Sequence, residues 1–422
     1  MTKFPLNNAA QWVEAFGSPL YVYDAKTIRG QYFRMKQAFD PTIDVGIHYA
    51  CKALNNLTVL RLMRRLGAGL DAVSLGEIEL GLRAGFRPDQ ILYTPNGVGI
   101  HEIKEAVEIG VQINIDNLET LEEFANEFGS TVPVCVRINP HIMAGGNTKI
   151  SVGHIDSKFG ISIHQIRHLH RIVHNMGLHV HGLHMHTGSD ILDIDAFMRG
   201  ADLLMDLAHD FKELAYIDFG SGFKVGYRPG ETATDIESFG EKMSVRFKEF
   251  CLEYGRDLKL IFEPGKFLVS EAGIFIAKVN SIKTTPSTVF AQVNSGFNHF
   301  PRPMMYDAYH HIENLSHPHG EMRLYTIVGY VCETDTFGYD RKLNEVRNGD
   351  LLAFHNAGAY CSSMGSQYNS RVRPAEVLLE GDQPYLIRKR ETIDDLLRGT
   401  VEHGLYQDTQ ELVREEGEIA VP

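Results

Sequence analysis

The chain has 422 residues, 43% of them hydrophobic and 23% charged, a balance that suits soluble globular proteins and a length too great for one small core. Its 41 basic and 54 acidic residues leave a formal charge of −13 with no basic block, which argues against a nucleic-acid partner. No stretch of 18 apolar residues exists, which argues against a membrane span, and the first residues lack the apolar core of a signal peptide, so the expected location is cytoplasmic. The cysteines at 51, 135, 251, 332 and 361 are odd in number and include no CxxC pair. They read as reduced thiols, not as a disulfide frame or a zinc site, and no metal is expected.

"PLYVYD" (19–24) opens the chain as a strand. From about residue 43 short apolar runs alternate with longer helical patterns. "VGIHYACKA" precedes the helix pattern of "NNLTVLRLMRRLG", "GLDAVS" that of "LGEIELGLRAG", "QILYTP" that of "IHEIKEAVEIG", and "QINID" that of "NLETLEEFANEFG". "PVCVRINP" leads into a long loop through Lys158 and then the helix "IHQIRHLHRIVHNMG". "HVHGLHMHTG", "LAYIDFGSG" and "LKLIFEPGK" are the remaining strands, the first two followed by helices. About eight βα units, with "LKLIFEPGK" counted as the last strand, predict a parallel sheet closed as a (β/α)₈ TIM-like barrel. A doubly wound sheet is the rival, and the absence of an early GxGxxG weakens it. After about residue 272 long helices give way to the strand-like runs "IFIAKVNSIKTT", "TVFAQVNS", "MRLYTIVGYVC", "GDLLAFHNAGAY" and "AEVLLEGDQPYLIRK". The expected organisation is α/β: a barrel over 25–272, and an all-β C-terminal domain over 273–422 joined by the N-terminal strand within 1–24.

Barrel chemistry gathers where strands end. Lys52, Asp71, Arg137, His186, the Gly220–Ser221–Gly222 turn and Glu263 all lie at or near such ends. Singly, each has an ordinary explanation: a snorkelling lysine, a core imidazole, a tight turn, a turn-capping carboxylate. Together they are the parts that hold pyridoxal 5′-phosphate. A lysine amine forms a Schiff base, glycine N–H groups approach a phosphate, a carboxylate keeps the ring nitrogen protonated, and an imidazole packs on the ring.

The segments "YACKALNN", "GLDAVSLGEIELGLRAGF", "VRINP", "SKFGI", "GLHMHTGSD", "DFGSGF", "EPGK", "VNSGFNHFPRPMMYDAYH", "VCETDTF", "AGAY" and "YNSRVRPAEVLL" carry a resemblance over residues 20–380. The chain resembles the fold-type III pyridoxal-phosphate decarboxylases, which share the alanine racemase barrel, and within them the diaminopimelate decarboxylases. The resemblance implies that Lys52 is the Schiff-base lysine, kept in an apolar setting so that its neutral form can attack. It implies that His186 stacks on the ring, that Glu263 pairs with the ring nitrogen, and that Ser189, Gly222, Gly265 and Tyr360 hold the phosphate, with Gly220 and Ser221 in the same turn. Asp71 and Arg137 fall around the cofactor. Arg302, Tyr306, Glu333, Lys266 and Tyr360 become substrate contacts. Cys332 is implied to reach in from the neighbouring subunit of a homodimer with shared active sites, and to handle protonation. The family's EPGR is EPGK here, its HIGSQ is HTGSD, and Ser221 interrupts its glycine triplet.

The implied activity is a carboxy-lyase acting on a small amino-acid substrate, converting meso-2,6-diaminopimelate to L-lysine and carbon dioxide in the last step of lysine biosynthesis. Two alternatives stay open at this point. One is a decarboxylase of the same fold acting on ornithine, lysine, arginine or carboxynorspermidine; the other is a non-catalytic homologue that binds pyridoxal phosphate. The pair Cys332–Glu333, and Arg302 as a cation for a distal carboxylate, favour diaminopimelate. A zinc protein built on His181, His184 and His186 is disfavoured, because residue 181 falls on the other face of its strand.

Overall fold

A computed structural model describes residues 4–142, 157–401 and 403. Of the long loop expected before Lys158, residues 143–156 lie outside the described residues, as do residues 404–422 of the expected β-rich domain. The first strand, β1 (Leu20–Asp24), is buried along its whole length. Asp24 then accepts hydrogen bonds from the N–H groups of Lys26 and Thr27, starting the helix Ala25–Gln37 that leads into the barrel.

The next strands are β2 (Val45–Ala50), β3 (Gly69–Ala72), β4 (Ile91–Tyr93), β5 (Gln112–Ile115), β6 (Val134–Asn139), the two-residue β7 (Ile161–Ser162), β8 (Val180–Met185), β9 (Tyr216–Asp218) and β10 (Lys259–Phe262). Among the described residues β2–β6 and β8–β10 pair in parallel in the order β5-β4-β3-β2-β10-β9-β8-β6, and β5 pairs with β6 to close the ring. All six residues of β2 are buried. A strand covered by the barrel interior on one side and by helices on the other is apolar at nearly every position, which is why these segments read as continuous runs. Helices between them are marked by polar caps: Asn56 and Ser74 each accept a backbone N–H at a helix start.

The second sheet is formed by β1 with β11 (Gly273–Thr284), β12 (Val289–Val293), β13 (Ile312–Asn314), β14 (Met322–Val328), β15 (Thr336–Asn344), β16 (Leu351–Phe354), β17 (Ala375–Glu380) and β18 (Gln383–Arg388). Its order is β15-β14-β12-β11-β1-β17-β18, with β16 joining β11 to β13. The N-terminal strand lies antiparallel to β11 and parallel to β17, as expected of "PLYVYD". One expectation is corrected. The run "MRLYTIVGYVC" is not one strand: β14 stops at Val328. The buried carboxylate of Asp335 accepts the N–H groups of Phe297 (2.6 Å) and Val331 (2.9 Å), and this folds residues 329–335 into a loop. Gly329 is required there, because a Cβ would meet Asp335 Oδ2 at 2.1 Å.

Candidate active site

The polar side chains converge at the carboxyl ends of the barrel strands. Lys52 sits in a short 3₁₀ turn, Cys51–Ala53, directly after β2. Register pairs Ala50 with Asp71 on β3, and Lys52 Nζ lies 3.3 Å from Asp71 Oδ2. Burial alone would pull the Lys52 pKa down; Asp71, then Tyr360, Glu263 and Glu77, more than offset it and carry the pKa above the ordinary lysine value. The expected neutral amine in an apolar setting is therefore corrected: the sequence shows the apolar run but not the carboxylates that the barrel folds around it.

Glu263 follows β10, and its Oε2 accepts from Nε2 of His184 on β8 at 3.0 Å, both groups buried. Its other oxygen, Oε1, is buried with no hydrogen-bond partner among the described residues. Polar atoms of His184, Asp218 and Glu263 all lie within 4.8 Å of one another. Burial raises the Glu263 carboxyl, against the pull of Lys52 and Arg137. Burial, then Arg137, pushes His184 well below its usual value, so its imidazole is neutral and donates through Nε2.

His186 lies just past β8. Its Nδ1 accepts the N–H of Ser221 at 3.2 Å, which puts the proton of the neutral ring on Nε2. Burial, then Arg137 and Lys52, keeps it neutral. The turn after β9 is pressed against this segment. Gly222 has φ +133°, and a Cβ there would stand 2.0 Å from the carbonyl oxygen of Gly188. Ser221, between the glycines, is not among the residues with positive φ, so the interruption of the triplet costs no backbone strain. Arg137, on β6, is buried with its guanidinium 4.9 Å from the centre of the Phe159 ring. Tyr360 comes from the second sheet's side of the molecule; its N–H donates to the Ala53 carbonyl at 2.8 Å, beside Lys52.

These groups line a cavity of about 540 Å³. A lysine amine, a buried unpartnered carboxylate oxygen on Glu263, a glycine turn with no room for side chains and an imidazole wall fit pyridoxal phosphate. A second cavity of about 400 Å³ adjoins it. Ser189, Lys266, Tyr306 and Tyr360 line both, while Asp190 and Arg302 line the second.

Residues 25–270 match the pyridoxal-binding domain of the pyridoxal-dependent decarboxylases. The diaminopimelate decarboxylase of Methanothermobacter thermautotrophicus is 41% identical over 93% of this chain and 94% of its own. That of Vibrio cholerae is 36% identical over 92% and 93%. The crystal structure of diaminopimelate decarboxylase from Helicobacter pylori complexed with L-lysine superposes with a TM-score of 0.84 at 32% identity, covering 97% of this chain and all of that one. The chain belongs to the diaminopimelate decarboxylases. They are pyridoxal-phosphate-dependent carboxy-lyases, and the eight-stranded barrel with its sheet-rich companion is their fold.

Seen as a diaminopimelate decarboxylase, the chain brings most of the sequence-predicted residues together. Lys52, Asp71, Arg137, His186, Ser189, Ser221, Gly222, Glu263, Gly265, Lys266, Tyr306 and Tyr360 line the larger cavity, with Gly220 in the adjoining turn. Arg302, buried in the second cavity, donates through Nε to His310 Nε2 at 3.3 Å and lies over the rings of Tyr227 and Tyr306. Cys332 and Glu333 are in neither cavity. They are exposed on the 329–335 loop, where Glu333 accepts the Tyr368 hydroxyl at 3.2 Å. Three participants escaped the sequence reading: His184 as Glu263's partner, Asp218, and Asp190. The first two stand two residues before His186 and Gly220, and strand alternation alone puts such positions on one face.

Proposed function

We propose that this chain decarboxylates meso-2,6-diaminopimelate to L-lysine and carbon dioxide, using pyridoxal phosphate in the larger cavity. The observation that carries it is the shared wall. A cofactor-sized cavity opens beside a second one holding the buried cations Lys266 and Arg302, suited to a carboxylate at the far end of the substrate. Bound pyridoxal phosphate supplies the electron sink for the pair left when the carboxylate departs.

The chain's own groups do the rest. Lys52 would hold the cofactor through Nζ, the position for which the substrate amine competes. Asp71, already in contact with Lys52, is placed to hold the proton that this amine must shed. Glu263 would keep the cofactor's ring nitrogen protonated, and His184 fixes the direction of its carboxylate. His186 would pack against the ring, and the Gly220–Gly222 turn with Ser189 and Tyr360 would hold the phosphate. Arg137 balances the carboxylates around it.

Proton return to the α-carbon needs a donor, and Cys332 lies outside both cavities of its own chain. A homodimer with shared sites, in which Cys332 and Glu333 of a second copy complete the cavity, accounts for their exposure. The place of action is the cytoplasm; among the described residues no helix is long and apolar enough to cross a membrane.

Carbon dioxide release from a panel of amino acids tests the substrate: diaminopimelate should exceed ornithine, lysine and arginine by at least a hundredfold in kcat/KM, and a preferred diamine precursor would overturn the assignment. Mixing inactive Lys52→Ala and Cys332→Ala proteins tests the shared site. Random exchange makes half the dimers mixed, each with one intact site, so about a quarter of wild-type activity returns. No recovery after proven exchange would remove Cys332 from a neighbour's site.

A further inference from the structure

Neighbouring strands set one layer of polar side chains inside the barrel. Register pairs Arg137 on β6 with His184 on β8, and His184 with Asp218 on β9. On β10 the partner of Asp218 is Ile261, which packs with Cys135 and Tyr216 in the layer beneath. Glu263, two residues further, completes the polar layer. This layer is short of hydrogen-bond donors. Asp218 is wholly buried; its Oδ1 accepts the Gly220 N–H at 2.8 Å, and its Oδ2 meets no donor among the described residues. Glu263 Oε2 is held by His184, and Oε1 meets no donor either. Polar atoms of the two carboxyls lie within 4.8 Å of each other. Two ionised carboxylates so close and so buried repel, and a hydrogen bond between them needs a proton on one.

The nearby cations are already engaged. Lys52 is in contact with Asp71, and among the carboxylates Asp116 acts most strongly on Arg137. The ring nitrogen of bound pyridoxal phosphate falls to Glu263. Asp218 is the carboxyl left without a countercharge. We propose that Asp218 is a protonated carboxylic acid in the working enzyme, and that its O–H donates to Glu263 and holds that carboxylate ionised for the cofactor's ring nitrogen. The inference rests on the pyridoxal-phosphate site and makes Asp218 a positioning residue. An ionised carboxylate has about four acceptor sites. One serves His184 and one Asp218, and the others stay open to the cofactor. Burial, then the charge of Glu263, pushes Asp218 well above the usual carboxylate range, and Asp71 adds to the push against the pull of the Gly220 N–H. Burial raises Glu263 as well, but Lys52, Arg137 and the hydrogen bond from Asp218 draw it back. Environments that push two neighbouring acids apart decide which one keeps the shared proton. Because Asp218 also accepts the N–H that opens the Gly220–Gly222 turn, one side chain ties the phosphate end of the site to its ring-nitrogen end.

The test is infrared spectroscopy of the holoenzyme in mildly alkaline buffer, where Asp335, raised to about 6 by burial, is ionised. Wild type should show the C=O stretch of a protonated carboxyl that moves in heavy water and with heavy-carbon label in the aspartate side chains, and Asp218→Asn should lose it. The amide of Asp218→Asn keeps a donor for Glu263; Asp218→Leu keeps none. Equilibrium dialysis should find pyridoxal phosphate held at least tenfold more tightly by Asp218→Asn than by Asp218→Leu, a rescue that shape alone does not give. If Asp218→Leu does not fold, the isotope pattern of the wild type and the Asp218→Asn spectrum decide. A band that moves only with labelled glutamate, a band that survives in Asp218→Asn, or equal cofactor affinity in the two variants overturns the proposal. None of these readouts depends on which amino acid is decarboxylated, so failure of the diaminopimelate reading is told apart from failure of this one.

Discussion

Replacing Asp71 by asparagine keeps the shape of the side chain and removes the charge facing Lys52. With Nζ and Oδ2 3.3 Å apart, a Coulomb energy at an effective dielectric of about 20 comes to about 5 kcal/mol. At about 1.36 kcal/mol per pKa unit, that is an upper bound of nearly four units, ~3.7. Water in the cavity reaches much of Lys52, whose side chain is 47% exposed. Screening of that kind brings the expected change to about one to two units. Glu263 and Glu77 still favour the ammonium in the variant, so the pKa falls without collapsing. The assay is the rate at which the apo protein captures added pyridoxal phosphate, followed by absorbance as pH is raised. Only the neutral amine attacks, so the rate climbs with pH until the amine is titrated. A lower pKa moves that climb to lower pH, by about one to two pH units in Asp71→Asn. A profile that coincides with wild type, or moves to higher pH, would refute the claim that Asp71 holds the charge on Lys52.

Lys52→Ala should abolish both cofactor capture and carbon dioxide release; wild-type turnover would remove Lys52 from the mechanism. Glu263→Gln should bind cofactor but lose most of kcat, and a loss under threefold, about 0.7 kcal/mol, would contradict the role given to its carboxylate. Gly222→Ala forces a Cβ to within 2.0 Å of the Gly188 carbonyl oxygen. It should weaken cofactor binding at least tenfold and destabilise the fold by about 1–3 kcal/mol, read by equilibrium dialysis and thermal melting.

The barrel was legible because its signal is local. Most of the eight paired strands are short, largely buried runs followed by an amphipathic helix, and both patterns survive in a single sequence. The second sheet was less so. β13 is three residues long, and β15 alternates too weakly around Arg341 and Lys342 to stand out. The end of β14 depends on Asp335, whose carboxylate bonds backbone on both sides of the loop. Nothing within "YTIVGYVC" itself announces that stop except Gly329.

At the site, residue types were readable and charge states were not. Lys52 looked like an amine kept neutral by apolar neighbours, because Val45–Ala50 is apolar along the chain. Its real neighbours are Asp71, 19 residues on, and Glu263, more than 200 residues on, and only closure of the barrel brings them in. The same logic joins Lys266 to Asp190. Read along the chain, the two substitutions are separate losses: an arginine reduced to a lysine, an amide turned into an acid. Read across the barrel mouth they compensate, because a buried lysine that lacks a guanidinium's fork gains an anion at 2.5 Å. Pairing of that kind offsets only part of the lysine's burial cost in the free enzyme, where burial still pulls its pKa below the ordinary lysine value.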